Sequence, residues 1–468
     1  MIFSDYFILD NGQLSLDFID IPLDTDLCLF IDPTAIRSLR SNWGWELGDL
    51  LREYFSKILE MIKSGNDKEA LYLLSSLRET NSFHLGYSSG KSEGKALGDK
   101  SAEDILISLK GSGAAKTGLL IDLEDTALTI KGVANDRISD SVCNILKEFF
   151  IEYTQSVSIF YGVELNESEG IRIWDRTNEK WIVKKVMLPI SEYGSVILIP
   201  KILARSSIAY SHDSFYRKYI VPSLKNEHLS INSALVDVLK SGKRRVTTKR
   251  LLDEYGASKP FIESQVVKYP SSLKEYREEM TLNPPPPLSH KDFQEITKIE
   301  SAGLLDLTNN VLDLVIGNDR DKYIYLMKKI IPVVFYPSLV YPVVINKDAD
   351  LYRLSYLNES KKGFFFNLFI FGISCERVVF NFSNDVFSDM FLDTIINDLN
   401  NYNLQVAVVF CRKFDGQYNN KLKELSKTKG KYLLVIDDDG FYQLVDEYLK
   451  GGDQSFNYIN ELFKKLND

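Results

Sequence analysis

The sequence predicts a multidomain protein of mixed α/β and α+β class, whose C-terminal part is a mixed sheet flanked by helices. Three observations support this fold class. The chain has 468 residues, too many for one ordinary core, since a domain holds roughly 100–200 residues. Four consecutive prolines occupy positions 284–287, and such a run cannot lie inside a helix. Beyond Leu351, apolar strand-like runs alternate with segments of helical spacing, which is typical of a partly parallel sheet.

The proline run divides the chain. We expect a linker at 281–290, between regions that differ in their hydrophobic patterns. The predicted domains are a mixed α/β domain at 1–162, a small sheet with short helices at 163–280, and the alternating region at 291–468.

Within the first predicted domain, apolar residues from Leu47 to Ile62 recur at spacings of three and four, which predicts a helix. In the second, three strand-like runs predict one small sheet. These runs are Ile171–Trp174, Trp181–Met187 and Ser195–Pro200.

The C-terminal region contains four strand candidates with helical segments between them. The near-continuous apolar residues of Val378–Phe382 and Val406–Phe410 predict two neighbouring inner strands, since a strand covered on both faces needs no polar alternation. The strand candidates are Leu351–Leu357, Glu376–Ser383, Gln405–Arg412 and Lys431–Asp437.

Composition and charge exclude several classes of protein. Hydrophobic residues form 44% and charged residues 26% of the chain, the balance of a folded globular protein. No apolar run is long enough to span a membrane, and the first residues lack the basic segment of a signal peptide. We therefore expect a cytoplasmic protein without a membrane partner. The net charge of −9 excludes a generally basic nucleic-acid coat, but it allows a local basic patch.

Several catalytic motifs fail on spacing or context. The four cysteines and four histidines are scattered, whereas a structural zinc site needs close ligand pairs. Gly86–Ser92 and Gly111–Thr117 miss the glycine spacing of a phosphate-binding loop. Gly86–Gly90 matches Gly-x-Ser-x-Gly, but a helix precedes it where a nucleophile elbow needs a strand. Nucleotide hydrolysis and serine-hydrolase chemistry are not expected.

The order of the C-terminal elements, with Cys411-Arg412 and Asp437-Asp438-Asp439 at strand ends, resembles the restriction-endonuclease-like PD-(D/E)XK superfamily. In that family two adjacent strands carry an aspartate and then Glu-x-Lys. The carboxylates hold magnesium and the lysine orients or deprotonates the attacking water. The resemblance implies a nuclease fold over much of 291–468, although some other α/β domain would show the same alternation.

The residues at the implied catalytic positions are not those of an active nuclease. Asn381 stands where the resemblance places the glutamate, and Ser383 stands where it places the lysine. The upstream aspartate should fall near Leu354 or Ser355. Since Mg²⁺ is held mainly by carboxylates, the resemblance implies an inactive, degenerate site that holds no cofactor.

Four acids and an arginine in the N-terminal region are candidates for a different site. They are Asp32, Glu79, Asp136 and Asp140, with Arg137 as a possible phosphate contact. Clustered carboxylates suit Mg²⁺ or Mn²⁺. The alternative is that these residues cap helices and shape turns. The region also looks similar to the N-terminal part of uncharacterised bacterial proteins that precede nuclease-like domains.

A basic stretch interrupts the acidic chain. Residues 240–250 hold six cations and no acid, and Thr247 or Thr248 is placed to cap a following helix. We expect the cations to be exposed on one face, either as a solvated helix end or as contacts to DNA or RNA phosphates. The six cations are Lys240, Lys243, Arg244, Arg245, Lys249 and Arg250.

These patterns predict a nucleic-acid-binding or assembly subunit of a bacterial phage-defence or DNA-modification system, with an inactive nuclease-like domain. DNA or RNA and the proteins of a defence complex are the expected partners. Two alternatives stay open. The first is a metal-dependent nuclease that uses the N-terminal acids, or a displaced C-terminal site, with Mg²⁺ or Mn²⁺. The second is a pure protein-interaction subunit.

Overall fold

A computed structural model describes residues 1–10, 12–77, 81–86, 98–298, 303–347, 351–451 and 456–467. The N-terminal region is mainly helical. Its longest helix, α3, has Ser41 as its N-cap, and its apolar residues face the core as the spacing predicts. The helices are α1 Phe3–Tyr6, α2 Pro33–Arg37, α3 Asn42–Lys63, α4 Asp67–Ser75, α5 Gly98–Gly111, α6 Gly113–Thr117, α7 Asp125–Thr129, α8 Asn135–Ile145 and α9 Lys147–Tyr161.

The predicted small sheet is instead a set of separate two-stranded pairs. Of these, β3 and β4 form the longest hairpin. The strands are β1 Phe30–Ile31, β2 Asn166–Glu167, β3 Ile171–Asp175, β4 Lys180–Lys184, β5 Met187–Leu188, β6 Ile190–Ser191, β7 Gly194–Ser195 and β8 Ala204–Arg205, paired β1–β8, β2–β5, β3–β4 and β6–β7.

The predicted strand Ser195–Pro200 is wrong beyond its first residue. Its apolar residues are buried, but their backbone bonds go to different segments. The Ile197 amide donates to the carbonyl of Ser82, and the Leu198 amide donates to the Thr154 hydroxyl. The apolar run therefore reflects burial in the core, which does not require a ladder partner.

Helices surround one short ribbon in the middle of the chain. The prolines 284–287 lie in irregular backbone between two helices, where the sequence predicts the linker. The elements are α10 His212–Phe215, α11 Val221–Ser230, β9 Asp237–Val238, β10 Arg244–Arg245, α12 Thr248–Tyr255, α13 Lys259–Lys268, α14 Ser271–Leu282 and α15 His290–Thr297.

The C-terminal region is a five-stranded mixed sheet with helices, as predicted. The strands follow one another in chain order, β11 to β15; the first two pairings are antiparallel and the last two parallel. The predicted inner neighbours are β13 and β14. The elements are α16 Leu304–Leu312, α17 Arg320–Phe335, β11 Leu339–Lys347, β12 Tyr352–Asn358, α18 Gly363–Ile370, β13 Arg377–Phe382, α19 Asp389–Asn401, β14 Val406–Phe410, α20 Asn419–Lys429, β15 Tyr432–Ile436, α21 Asp438–Gly451 and α22 Asn457–Asn467.

Two apolar cores hold these regions, and they meet at α9 and β11. The first core includes buried residues from Phe3 to Phe293 and also Tyr336, Val340 and Leu357, so both sides of the predicted 162/163 boundary contribute to it. Phe160 of α9 belongs to the second core. The boundaries of the domains stay predictions, but the C-terminal sheet packs directly on the N-terminal helices. Within the described residues, no helix is long and apolar enough to cross a membrane.

Candidate functional site

A short β-ribbon carries most of the predicted basic residues; we call residues 237–245 the basic ribbon. The strands β9 and β10 are joined by a tight turn in which the amide of Gly242 donates to the carbonyl of Leu239 at 2.8 Å. Gly242 has a φ of +79°, a left-handed conformation that glycine adopts without the steric cost of a Cβ. The helix α12 follows, with the Thr247 hydroxyl as its N-cap.

The cations of the basic stretch are exposed, and most are available to a partner. Two make contacts within the chain. Arg250 pairs with Asp237 at 2.7 Å, and Arg244 donates to the side-chain oxygen of Asn232 at 3.2 Å. No ion pair within the described residues involves the other four. All six are exposed: Lys240, Lys243, Arg244, Arg245, Lys249 and Arg250.

The register of the C-terminal sheet shows which of the residues named from the nuclease resemblance share one face. Residues opposite each other in an antiparallel pair project on the same face, and successive residues alternate. Arg353 lies opposite Asn381, and Ser355 lies opposite Val379. Ser355 and Arg353 therefore share a face with Asn381. Leu354 projects from the other face. Of the two positions at which the resemblance would place the upstream aspartate, only Ser355 therefore shares the face of Asn381.

Three polar side chains lie together at Asn381. Asn381 is fully buried, and neither its amide nitrogen nor its oxygen has a hydrogen-bond partner. Beside it, the Nε of Arg353 lies 3.0 Å from a carboxylate oxygen of Asp398 on α19. These three side chains line a cavity of about 10 Å³, enough for about one water molecule. Ser383 is also buried.

Sequence reasoning missed the ion pair between Arg353 and Asp398. The two residues are far apart in the chain, and the arginine lies in a strand that otherwise reads as apolar. The strand register places Arg353 opposite Asn381 and so reveals the pair, but the sequence does not show this register.

Arg412 connects the carboxyl ends of the parallel strands. Its guanidinium donates to Asp438 at 2.9 Å and to the side-chain oxygen of Asn384 at 2.6 Å. It also donates to the carbonyls of Leu312 and Leu314 at 2.9 and 2.8 Å. The side chain is 2% exposed. The strand-end arginine and the Asp437–Asp439 run that the sequence singled out therefore meet, and their contacts hold α16 and α21 against the sheet.

The N-terminal acids occupy different structural positions. Asp32 is buried; its carboxylate accepts from the amides of Thr34 at 2.8 Å and Ala209 at 3.0 Å. Burial raises the pKa of Asp32, and these amides oppose the increase. Asp32 therefore caps α2, as the alternative interpretation predicts.

The other candidate acids lie near the start of α8. Asp136 accepts from the amide of Arg137 at 2.9 Å, and Asp140 and Arg137 are half-buried on the same helix. Glu79 lies outside the described residues. Among those that are described, no three His, Cys, Asp or Glu side chains form a group that could hold a metal ion.

The candidate ligands for a displaced C-terminal site are Asp348, Asp350, Glu376 and Asp385. The first two lie outside the described residues. Glu376 accepts from the amide of Asn42 at 2.8 Å and from its side chain at 2.7 Å. This contact joins the start of α3 to the C-terminal sheet. Asp385 accepts from the adjacent amide of Val386.

A buried lysine lies where the N-terminal helices meet the C-terminal region. The Nζ of Lys201 donates to the carbonyls of Gln13 and Leu14 at 3.3 and 3.2 Å, and lies 4.7 Å from the ring centre of Tyr336. Lys201 is 1% exposed. Burial lowers its pKa to about 7, and the nearby Asp17 opposes this. Apolar residues flank Lys201 on both sides, at 196–200 and 202–204, but the carbonyls that it contacts lie far away in the chain.

Lys201 is expected to make the protein more stable as the pH rises above 7. Its folded pKa of about 7 lies below the roughly 10.4 of an unfolded lysine. Between these values the unfolded chain binds more protons, so the free energy of unfolding rises by up to about 1.4 kcal/mol per pH unit. Lys201→Met removes this dependence. Denaturant unfolding measures the free energy of unfolding of the natural protein and of Lys201→Met between pH 7 and 9. Over this range the natural protein should gain stability relative to the variant. A difference between the two proteins that does not change with pH would contradict the prediction.

Comparison with known proteins covers the N-terminal region. A family model described as "Domain of unknown function (DUF8370)" matches residues 8–211, fewer than half of the chain. The chain is therefore similar to that family over α2 to β8. No curated protein and no solved structure matches the chain. The matched segment contains Asp32, Asp136 and Asp140, whereas the basic ribbon and the C-terminal sheet lie outside it.

Proposed function

We propose that the protein is a nucleic-acid-binding subunit of a bacterial defence or DNA-modification system, with a nuclease-like C-terminal domain that does not cleave. The observation that carries the proposal is the exposure of the six cations of the basic ribbon and the first turn of α12. Each phosphate that such a cation neutralises releases a counterion, which favours binding. The acidic chain of net charge −9 makes this local concentration of positive charge the favoured contact for a polyanion.

The order of the C-terminal elements supports the nuclease-like part of the proposal. In this proposal the adjacent strands β12 and β13 correspond to the strands on which the family carries its aspartate and Glu-x-Lys. Arg412 follows β14 and Asp438 follows β15, as in the flanking features that the sequence shares with that family.

The charges at the nuclease-like positions argue against metal-dependent cleavage there. Asn381 and Ser383 are neutral, and the carboxylate of Asp398 is paired with Arg353. Mg²⁺ in proteins is bound through carboxylates, and a guanidinium at the same place repels a divalent cation. Without a metal, nothing there lowers the pKa of the attacking water.

The full chain, incubated with labelled DNA or RNA and Mg²⁺ or Mn²⁺, should retard the nucleic acid in a gel and leave it intact. Asn381→Glu with Ser383→Lys should not cleave either, because Ser355 still supplies no carboxylate and Arg353 stays in place. The full chain is the right sample because Tyr336 and Val340 belong to the N-terminal core. Cleavage that a chelator abolishes would contradict the inactive site and favour the metal-dependent alternative.

A further inference from the structure

The basic ribbon presents cations on both of its faces and at its tip. Arg244 lies opposite Val238, and Arg245 lies opposite Asp237, so the two arginines project from opposite faces. Both are exposed, and Val238 is 69% exposed beside Arg244. The expectation that the cations share one face is therefore wrong. Each face of the ribbon therefore presents an exposed arginine to solvent.

The charge distribution limits the shape of the partner. A single phosphate backbone can lie along only one face of a ribbon, which would leave the other face unused. Cations on both faces fit a groove, where phosphates flank the ribbon on two sides. The major groove of B-form DNA, about 12 Å wide, admits a two-stranded β-ribbon. The major groove of A-form RNA is deep and narrow and excludes side chains.

The residue types argue against a single strand. Proteins that bind single-stranded nucleic acid usually stack bases on aromatic side chains. Residues 237–250 contain no aromatic residue. The nearest aromatic along the chain after them, Tyr255, stacks on Phe261 at 5.3 Å, so its ring already has a partner within the protein.

From these observations we propose that the basic ribbon enters the major groove of double-stranded B-form DNA. Arg244 contacts one backbone, Lys243 and Arg245 contact the other, and Lys240 at the tip lies toward the base edges. The proposal rests on the proposed function, since it names the substrate class of the same surface. The acids Asp253 and Glu254 on α12 are exposed, and they limit the cationic surface to the ribbon and the first turn of that helix.

The test compares binding of the full chain to duplex DNA, single-stranded DNA and duplex RNA of one length and sequence, by fluorescence anisotropy. We expect duplex DNA to bind at least about tenfold more tightly than either of the others. Arg244→Ala and Arg245→Ala should each weaken duplex binding, by up to roughly tenfold per lost phosphate contact at low salt. Methylation of guanine N7, which lies in the major groove, should interfere with binding.

The outcomes separate this inference from the proposed function. Single-stranded DNA or duplex RNA that binds as tightly as duplex DNA, and still requires the ribbon arginines, would overturn the groove while the nucleic-acid function stands. The groove would also be overturned if Arg244→Ala weakened duplex binding and Arg245→Ala did not, since contacts from one face of the ribbon would then be sufficient for binding. Failure to bind any of the three would overturn both. Lys427→Ala with Lys429→Ala, which removes two exposed cations from α20, is the control.

Discussion

Arg412→Ala is expected to lower the free energy of unfolding by about 3–5 kcal/mol, the range for breaking a buried ion pair by removing one partner. The truncation leaves Asp438 without its guanidinium partner and Asn384 without its donor. It also removes the donor to the carbonyls of Leu312, the last residue of α16, and of Leu314, which is buried, and an unsatisfied buried polar group costs about 1–3 kcal/mol. Denaturant unfolding of both proteins measures the difference.

Two further variants test whether the decrease in the free energy of unfolding comes from the side-chain contacts of Arg412. Arg412→Lys keeps the charge but cannot reproduce the fork of donors, so it should recover only part of the stability. Lys413→Ala changes the exposed neighbouring residue and should stay within about 0.5 kcal/mol of the natural chain. An Arg412→Ala protein that loses less than about 1 kcal/mol would show that these bonds are not structural.

The second large effect is expected at the ion pair of Arg353 and Asp398. The side chains are 6% and 16% exposed, so either partner alone would be a charge in a mostly apolar place. Arg353→Met or Asp398→Leu alone should cost about 3–5 kcal/mol, whereas the double variant should cost much less, since apolar replacement of a buried pair is often neutral.

A double-mutant cycle in denaturant gives the coupling energy of this pair. The exposed pair of Lys450 and Asp446 on α21, 75% and 39% exposed, is the matched control, and its removal should cost under about 1 kcal/mol. Additive losses at Arg353 and Asp398 would contradict the energetic coupling of this ion pair.

The sequence predicted elements whose patterns are local. The spacing from Leu47 to Ile62 identified α3, and the continuous apolar runs identified β13 and β14 as neighbours, because both patterns follow directly from burial. Val196–Ile199 is equally apolar and is not a strand, since burial alone does not decide where backbone hydrogen bonds go.

The candidate site was predictable only in part. A run of six cations is visible without a structure, and so is the absence of carboxylates at 381 and 383. The placement of cations on both faces of the basic ribbon depends on the turn at Gly242, and the pairing of Asp398 with Arg353 depends on strand register. The contacts of Lys201 were not predictable, because its partners come from segments far apart in the chain.

The salt dependence of binding tests the central claim most directly. We predict that the logarithm of the affinity of the full chain for duplex DNA falls linearly with the logarithm of salt concentration, by about 0.9 per phosphate contact. Replacing Lys243, Arg244 and Arg245 with Ala, which removes three phosphate contacts, should flatten the slope by about 2.7, while the Lys427 and Lys429 control should leave it unchanged. An unchanged slope and affinity in the triple variant would contradict the assignment of the basic ribbon as the nucleic-acid contact.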